Sequence, residues 1–199
     1  MVAYYGTAGT GALGVLGERR PDVITKKLRK AAAPFASKGI DVQIAYELIV
    51  TIADASPGQD GDYSHDIDRA AVRRYIEAAH RNKALLILDL QPGRSNFLKV
   101  AKRWAWALKD PYVGLALDPE WRMGPHQVPG RVIGSVSARE VNQVSKWLVN
   151  LQHKHNLPEK IFMLHTFRTS MLPGVARIKK RSGLAMVQHV DGFGTPARN

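Results

Sequence analysis

The ionisable residues of this chain recur at one kind of place, directly after a short apolar run. Tyr46-Glu47-Leu48, Leu88-Asp89-Leu90-Gln91, Leu117-Asp118-Pro119-Glu120-Trp121, Leu164-His165-Thr166-Phe167-Arg168 and Gln188-His189-Val190-Asp191-Gly192 all follow this pattern. Extended chain turns successive side chains to opposite faces, so residues two apart share a face. Asp118 with Glu120, Asp89 with Gln91, and His189 with Asp191 are therefore expected as same-face pairs. Two carboxylates held close do not both ionise easily, and one keeps its proton beside an ionised neighbour. Cleavage of a glycosidic bond uses such a couple. Glu120, Asp118, Asp89, Asp191 and Glu47 are the candidate carboxylates for acid, nucleophile, base or electrostatic support. Tyr4, Tyr5 and Trp121 offer faces to a sugar ring, and Gln91, His165 and His189 add hydrogen-bonding groups.

Positioning these groups falls to an alternation of short β-rich runs and longer segments of helical period. Strands are expected at Val2–Thr7, Val42–Val50, Ala84–Leu90, Val113–Leu117, Ile161–Leu164 and Leu184–Val190. Helices are expected at Asp22–Lys38, Ile67–Asn82, Asn96–Lys109, Ser137–His155 and Val175–Arg181. Asp22 reads as an N-cap, Gly39 as a helix stop, and Ser137 with Glu140 as a capping box. Strands alternating with helices imply an α/β domain on a parallel sheet, where chemistry collects at the carboxyl ends of strands. The expected fold is one (β/α) TIM-barrel-like domain over residues 1–199, incomplete because six strands fall two short of eight. An open doubly wound parallel sheet is the alternative.

The segment Leu115-Ala116-Leu117-Asp118-Pro119-Glu120-Trp121 resembles the fourth-strand D-x-E motif of chitinase and lysozyme barrels. That resemblance implies Glu120 as acid and Asp118 as the residue that orients or tunes it. The longer multi-aspartate pattern of chitinases is missing, which argues against a substrate-assisted mechanism. Tyr4-Tyr5-Gly6-Thr7 with Gly9, Gly11 and Gly14, the run Leu88 to Ser95, Asp118–Arg122 and Met186 through Gly194 resemble an uncharacterised actinobacterial family of exported proteins or lipoproteins. The resemblance covers essentially the whole chain. It implies a barrel architecture and an extracytoplasmic setting, and further chain past the equivalent of Asn199 that would supply the remaining strands.

Rival motifs are weaker. Gly9-Thr10-Gly11-Ala12-Leu13-Gly14 fits G-x-G-x-x-G, but Gly17 and Pro21 limit the helix that a dinucleotide site needs. Glu47, Asp89, Asp118, His165, His189 and Asp191 form an alternative donor set for a divalent ion, without H-x-H or H-E-x-x-H spacing. The expectation is no metal and no cofactor. There is no G-x-S-x-G and no cysteine, which removes thiolate metal sites, disulfides and cysteine nucleophiles. Asp54 to Tyr63 reads as a polar surface loop.

With 29 Lys and Arg against 17 Asp and Glu, the chain carries a formal charge of +12. That favours anionic surroundings. Lys26, Lys27, Arg29, Lys30, Arg73, Arg74, Lys99, Lys102, Arg103, Lys179 and Lys180 fall on expected outer helices, and no nucleic-acid module is visible. The expected partner is a polysaccharide or another anionic cell-envelope polymer, not a specific nucleic-acid sequence. Met1 to Gly6 lacks the form of a signal peptide, and no apolar run reaches the roughly 18 residues of a membrane helix. The expected activity is that of a glycoside hydrolase. A non-catalytic carbohydrate or cell-wall binding protein and a metal-dependent hydrolase or isomerase are the alternatives.

Overall fold

A computed structural model describes residues 1–36, 39, 41–190 and 192. Six parallel strands form one sheet: β1 Val2–Gly6, β2 Ile44–Ala53, β4 Leu85–Leu90, β5 Val113–Leu117, β6 Lys160–Thr166 and β7 Leu184–Val190. Each lies beside its predecessor in the order β1-β2-β4-β5-β6-β7. The short strand β3, Ser64–Asp66, adds to β2 antiparallel and emerges from the segment that the sequence marks as loop. The helices are α1 Pro21–Ala32, α2 Arg69–Asn82, α3 Phe97–Arg103, α4 Ala105–Leu108 and α5 Ala138–Lys154.

The sheet curls into a half-barrel. An open parallel sheet was the alternative expectation, and the sheet is open: among the described residues β1 and β7 are not paired. The strand order has no reversal, so the sheet is not doubly wound. Alternation along the strands explains the winding. Ile44, Tyr46, Leu48 and Val50 of β2, Leu86, Leu88 and Leu90 of β4, and Val113, Leu115 and Leu117 of β5 pack with Ile24, Leu28, Val72, Tyr75, Val100, Trp104, Val144 and Leu148 of the helices. The interleaved residues Ala45, Ile87, Ala116 and Met163 form a second, smaller apolar cluster with Ala3, Leu85, Ile161 and Val187. The helices therefore cover the convex side, and no helix of the outer layer packs on the concave apolar cluster. Burying the first set against the helices supplies most of the hydrophobic stabilisation, at roughly 25 cal/mol per Å² of apolar surface.

Local chemistry sets the helix boundaries. Pro21 occupies the first turn of α1, so the cap position falls on Arg20 and Asp22 sits inside the first turn instead of capping it. The helix gives way to a 3-10 turn at Ala33–Ala36, and the expected last residues Ser37 and Lys38 lie outside the described residues. Asp68 caps α2 through the N–H of Ala70, which moves the start to Arg69. The single helix expected over Asn96–Lys109 breaks at Trp104, whose backbone leaves helical geometry while its indole donates to Thr51 at 2.9 Å. Ser137 caps α5, its hydroxyl accepting from the Glu140 N–H at 3.2 Å, while the Glu140 carboxylate accepts from the Phe97 N–H and pairs with Arg122. The helix expected at Val175–Arg181 is only a 3-10 turn, Val175–Arg177.

Candidate active site

The concave face changes character along the strands. Near the amino ends it is apolar, with Ala3, Ala45, Ile87, Ala116, Met163 and Val187. One alternation further on it turns polar, with Tyr5 on β1, Glu47 on β2, Asp89 on β4, Asp118 just past β5, His165 on β6 and His189 on β7. The polar level opens into a cleft of about 870 Å³. Glu47, Gln91, Asp118, Glu120, Trp121, His165 and His189 line it together with Tyr5.

Hydrogen bonds lace this level across strands. The Tyr5 hydroxyl donates to Oδ2 of Asp89 at 3.0 Å and accepts from Nε2 of Gln91 at 3.3 Å. Gln91 is fixed in turn by the Ala53 N–H, which donates to its Oε1 at 3.1 Å. Nε2 of His165 meets Oε1 of Glu47 at 2.5 Å, with both side chains buried. The His165 ring sits between Tyr5, at 6.1 Å, and His189, at 4.8 Å edge-on.

Burial dominates the electrostatics. Asp89 is fully buried, and loss of water pushes its carboxyl up to about 7, aided by Glu47 and opposed by the imidazole of His165 and the Tyr5 hydroxyl. Its Oδ1 has no hydrogen-bond partner. Burial first, and then the charge of Asp89, hold Asp118 well above the usual carboxylate range. Tyr5 is raised as well, by burial and then by Asp89 and Asp118. The floor of the cleft thus retains protons that free side chains would release at neutral pH.

Within the D-x-E segment, Glu120 reaches the cleft by a route other than strand alternation. Strand β5 ends at Leu117, and Pro119 starts a 3-10 turn, Pro119–Trp121. Asp118 caps that turn, accepting from the Glu120 N–H at 3.2 Å. The turn brings Glu120 to the cavity that Asp118 enters by alternation from Ala116.

Of the expected site residues, Glu47, Tyr5, Gln91, Asp118, Glu120, Trp121, His165 and His189 line the cleft, and Asp89 lies beneath it. Tyr4 is a correction. It occupies the other face of β1, packs into the helix-side core, and donates to the Lys27 carbonyl at 3.4 Å. Period-two alternation makes this unavoidable once Tyr5 faces inward. Asp191 lies outside the described residues, so its pairing with His189 is not placed.

The sequence reading missed the apolar wall: Leu13, Ile49, Met163, Phe167 and Val187 also line the cleft. Each of the last four stands two residues from a polar lining group, so the same alternation that found Glu47, His165 and His189 points to them. Leu13 arrives through the glycine loop. Gly11–Leu13 and Val15–Gly17 form 3-10 turns, not the α-helix a pyrophosphate cradle requires. Gly14 lies so close to β1 that an added Cβ would stand 2.5 Å from the Tyr5 carbonyl oxygen. The glycines serve close packing of this loop over the strand end.

Exposed Lys26, Lys30, Arg73 and Lys102 lie on the outer helices, whereas Lys179 and Lys180, expected on a helix, fall beyond the Val175–Arg177 turn. Among the described residues no helix is long and apolar enough to cross a membrane. No family model, curated protein or solved structure matches the chain.

Proposed function

We propose that the cleft hydrolyses a glycosidic bond in a polysaccharide, with Glu120 as the proton donor at the cleft wall. The observation that carries this is the Asp118–Glu120 turn. One carboxyl is buried and pushed well above the usual carboxylate range, and the next acid in the turn faces the cavity. A protonated carboxyl beside a cleft-facing one is the arrangement that delivers a proton to a leaving oxygen at neutral pH. Burial first, and then Asp89, hold Asp118 well above the usual carboxylate range, and its Oδ1 fixes the turn by accepting from the Glu120 N–H. The cavity is of the size that ligand sites of small-molecule and oligomer-binding proteins use, roughly 300–1,000 Å³.

The wall chemistry narrows the substrate. Trp121, Phe167, Ile49 and Val187 present apolar surface suited to the faces of sugar rings, while Glu47, Asp118 and Glu120 supply acid groups. Among the described residues neither lysine nor arginine lines the cavity. A neutral glycan segment therefore suits the cleft better than a polyanion. The basic convex side is the surface that would attract an anionic cell-envelope polymer, and the two roles fit an extracytoplasmic protein that works on a wall. Sequential strand order, helices on one side and acids at the carboxyl ends support reading the half-barrel as six strands of the TIM-barrel pattern.

The test is product release from a panel of neutral oligosaccharides by the wild-type chain and by Glu120→Gln. The proposal expects turnover by the first and loss of turnover by the second, with folding retained. Binding by both proteins without product would instead make the cleft a carbohydrate-binding site.

A further inference from the structure

One group of side chains in the cleft is not used by the Asp118–Glu120 couple. Glu47, His165 and His189 come from β2, β6 and β7, strands that the curl of the sheet brings toward one another around the concave face. One ligand atom from each lies within 4.8 Å of the other two.

We propose that Glu47, His165 and His189 bind a zinc-type first-row divalent ion. One carboxylate oxygen and two imidazole nitrogens are a borderline donor set that such ions prefer, and hard ions such as magnesium do not. Donors on a tetrahedral ion, with bonds of about 2.0–2.2 Å, stand roughly 3.4 Å apart. Glu47 and His165 stand closer than this, at 2.5 Å, and no ligand atom of the three lies more than 4.8 Å from another. Three protein ligands leave the ion a position toward the cavity that all three residues line.

A second observation on the neighbouring strand points the same way. Asp89 shares the concave face, feels the charges of both Glu47 and His165, and has an enclosed Oδ1 without a hydrogen-bond partner. A buried carboxylate oxygen left without a donor is costly, so its retention requires an explanation. A water on the ion would give that oxygen a donor. Metal-ligand sets are commonly backed by such outer carboxylates. This departs from the expectation of no metal. It goes beyond the acid/base reading and does not rest on it, because ion binding needs no turnover to be seen.

The experiment uses the full chain after treatment with a chelator. Zinc binding is followed by calorimetry, and cobalt(II) is followed by its visible absorption. The expected result is one ion per chain, with cobalt bands that report imidazole coordination. His189→Ala should weaken affinity by more than about tenfold. Its position on an exposed strand end keeps the fold safe, which circular dichroism checks. Glu47→Gln should act in the same direction. His153→Ala, at an exposed site near the end of α5, should bind as the wild type does. Absence of saturable binding would overturn the proposal, as would binding that His189→Ala leaves unchanged.

Discussion

The phenol of Tyr5 donates to the carboxylate of Asp89 at 3.0 Å, joining residues 84 positions apart. The bond runs from β1 to β4 and spans β2, which lies between them. It is possible only because the sheet curls and turns these side chains inward. The same bond links the titration of the cleft floor to the first strand of the chain.

Removing that donor should shift Asp89. A hydrogen bond to the ionised carboxylate favours ionisation, so Tyr5→Phe should raise the Asp89 pKa above its value of about 7. A bond to a charged group is worth roughly 1.5–3 kcal/mol, so the rise should be about one unit or more. Carboxyl carbon NMR across a pH titration measures it. Tyr4→Phe should leave the titration unchanged, since Tyr4 faces the helices.

Stability should depend on pH with a definite sign. The folded Asp89 carboxyl titrates near 7, and an unfolded one near 3.8. Between these values the folded chain binds the proton that the unfolded chain has released. Stability from this group is therefore fully present at low pH and is lost as pH rises from 4 to 7. Taken alone the loss is on the order of 4 kcal/mol. Asp89→Asn should flatten the profile over that window and be more stable than the wild type at pH 8. Urea unfolding at pH 5 and pH 8 checks both statements.

The buried pair of Glu47 and His165 should respond differently from Glu120. His165→Ala strands a buried carboxylate and should cost about 3–5 kcal/mol. Glu120→Gln alters a partly exposed side chain and should change stability by no more than about 0.5 kcal/mol. Thermal unfolding of the two variants makes the comparison.

The glycine loop carries its own prediction. Gly14 holds φ at +125°, and a Cβ there would stand 2.5 Å from the Tyr5 carbonyl oxygen. Gly14→Ala should destabilise by about 1–3 kcal/mol and displace Leu13 from the cleft wall. Chemical unfolding gives the first effect, and altered ligand affinity gives the second.

Much of this architecture was legible because two periods govern it. Nearly continuous apolar runs such as Leu85–Leu90 mark strands covered on both faces, and period-two alternation set Tyr5, Glu47, Asp89 and His165 on one side. Other features depend on contacts far away in the chain. Trp104 leaves its helix in favour of a bond to Thr51. Ser64–Asp66 becomes a strand only because β2 extends far enough to pair with it. Glu120 joins Asp118 in the cleft through a proline-started turn, which strand periodicity does not describe. Propensity over a short window contains none of these distant partners.

The central claim is that the cleft-facing acid of the Asp118–Glu120 turn donates a proton in glycan cleavage. Its most direct measurement is the turnover of a cleavable neutral oligosaccharide by folded Glu120→Gln protein against the wild type. The account predicts a loss of about 10²–10⁴-fold with binding kept. Wild-type turnover that survives in the folded variant would contradict it.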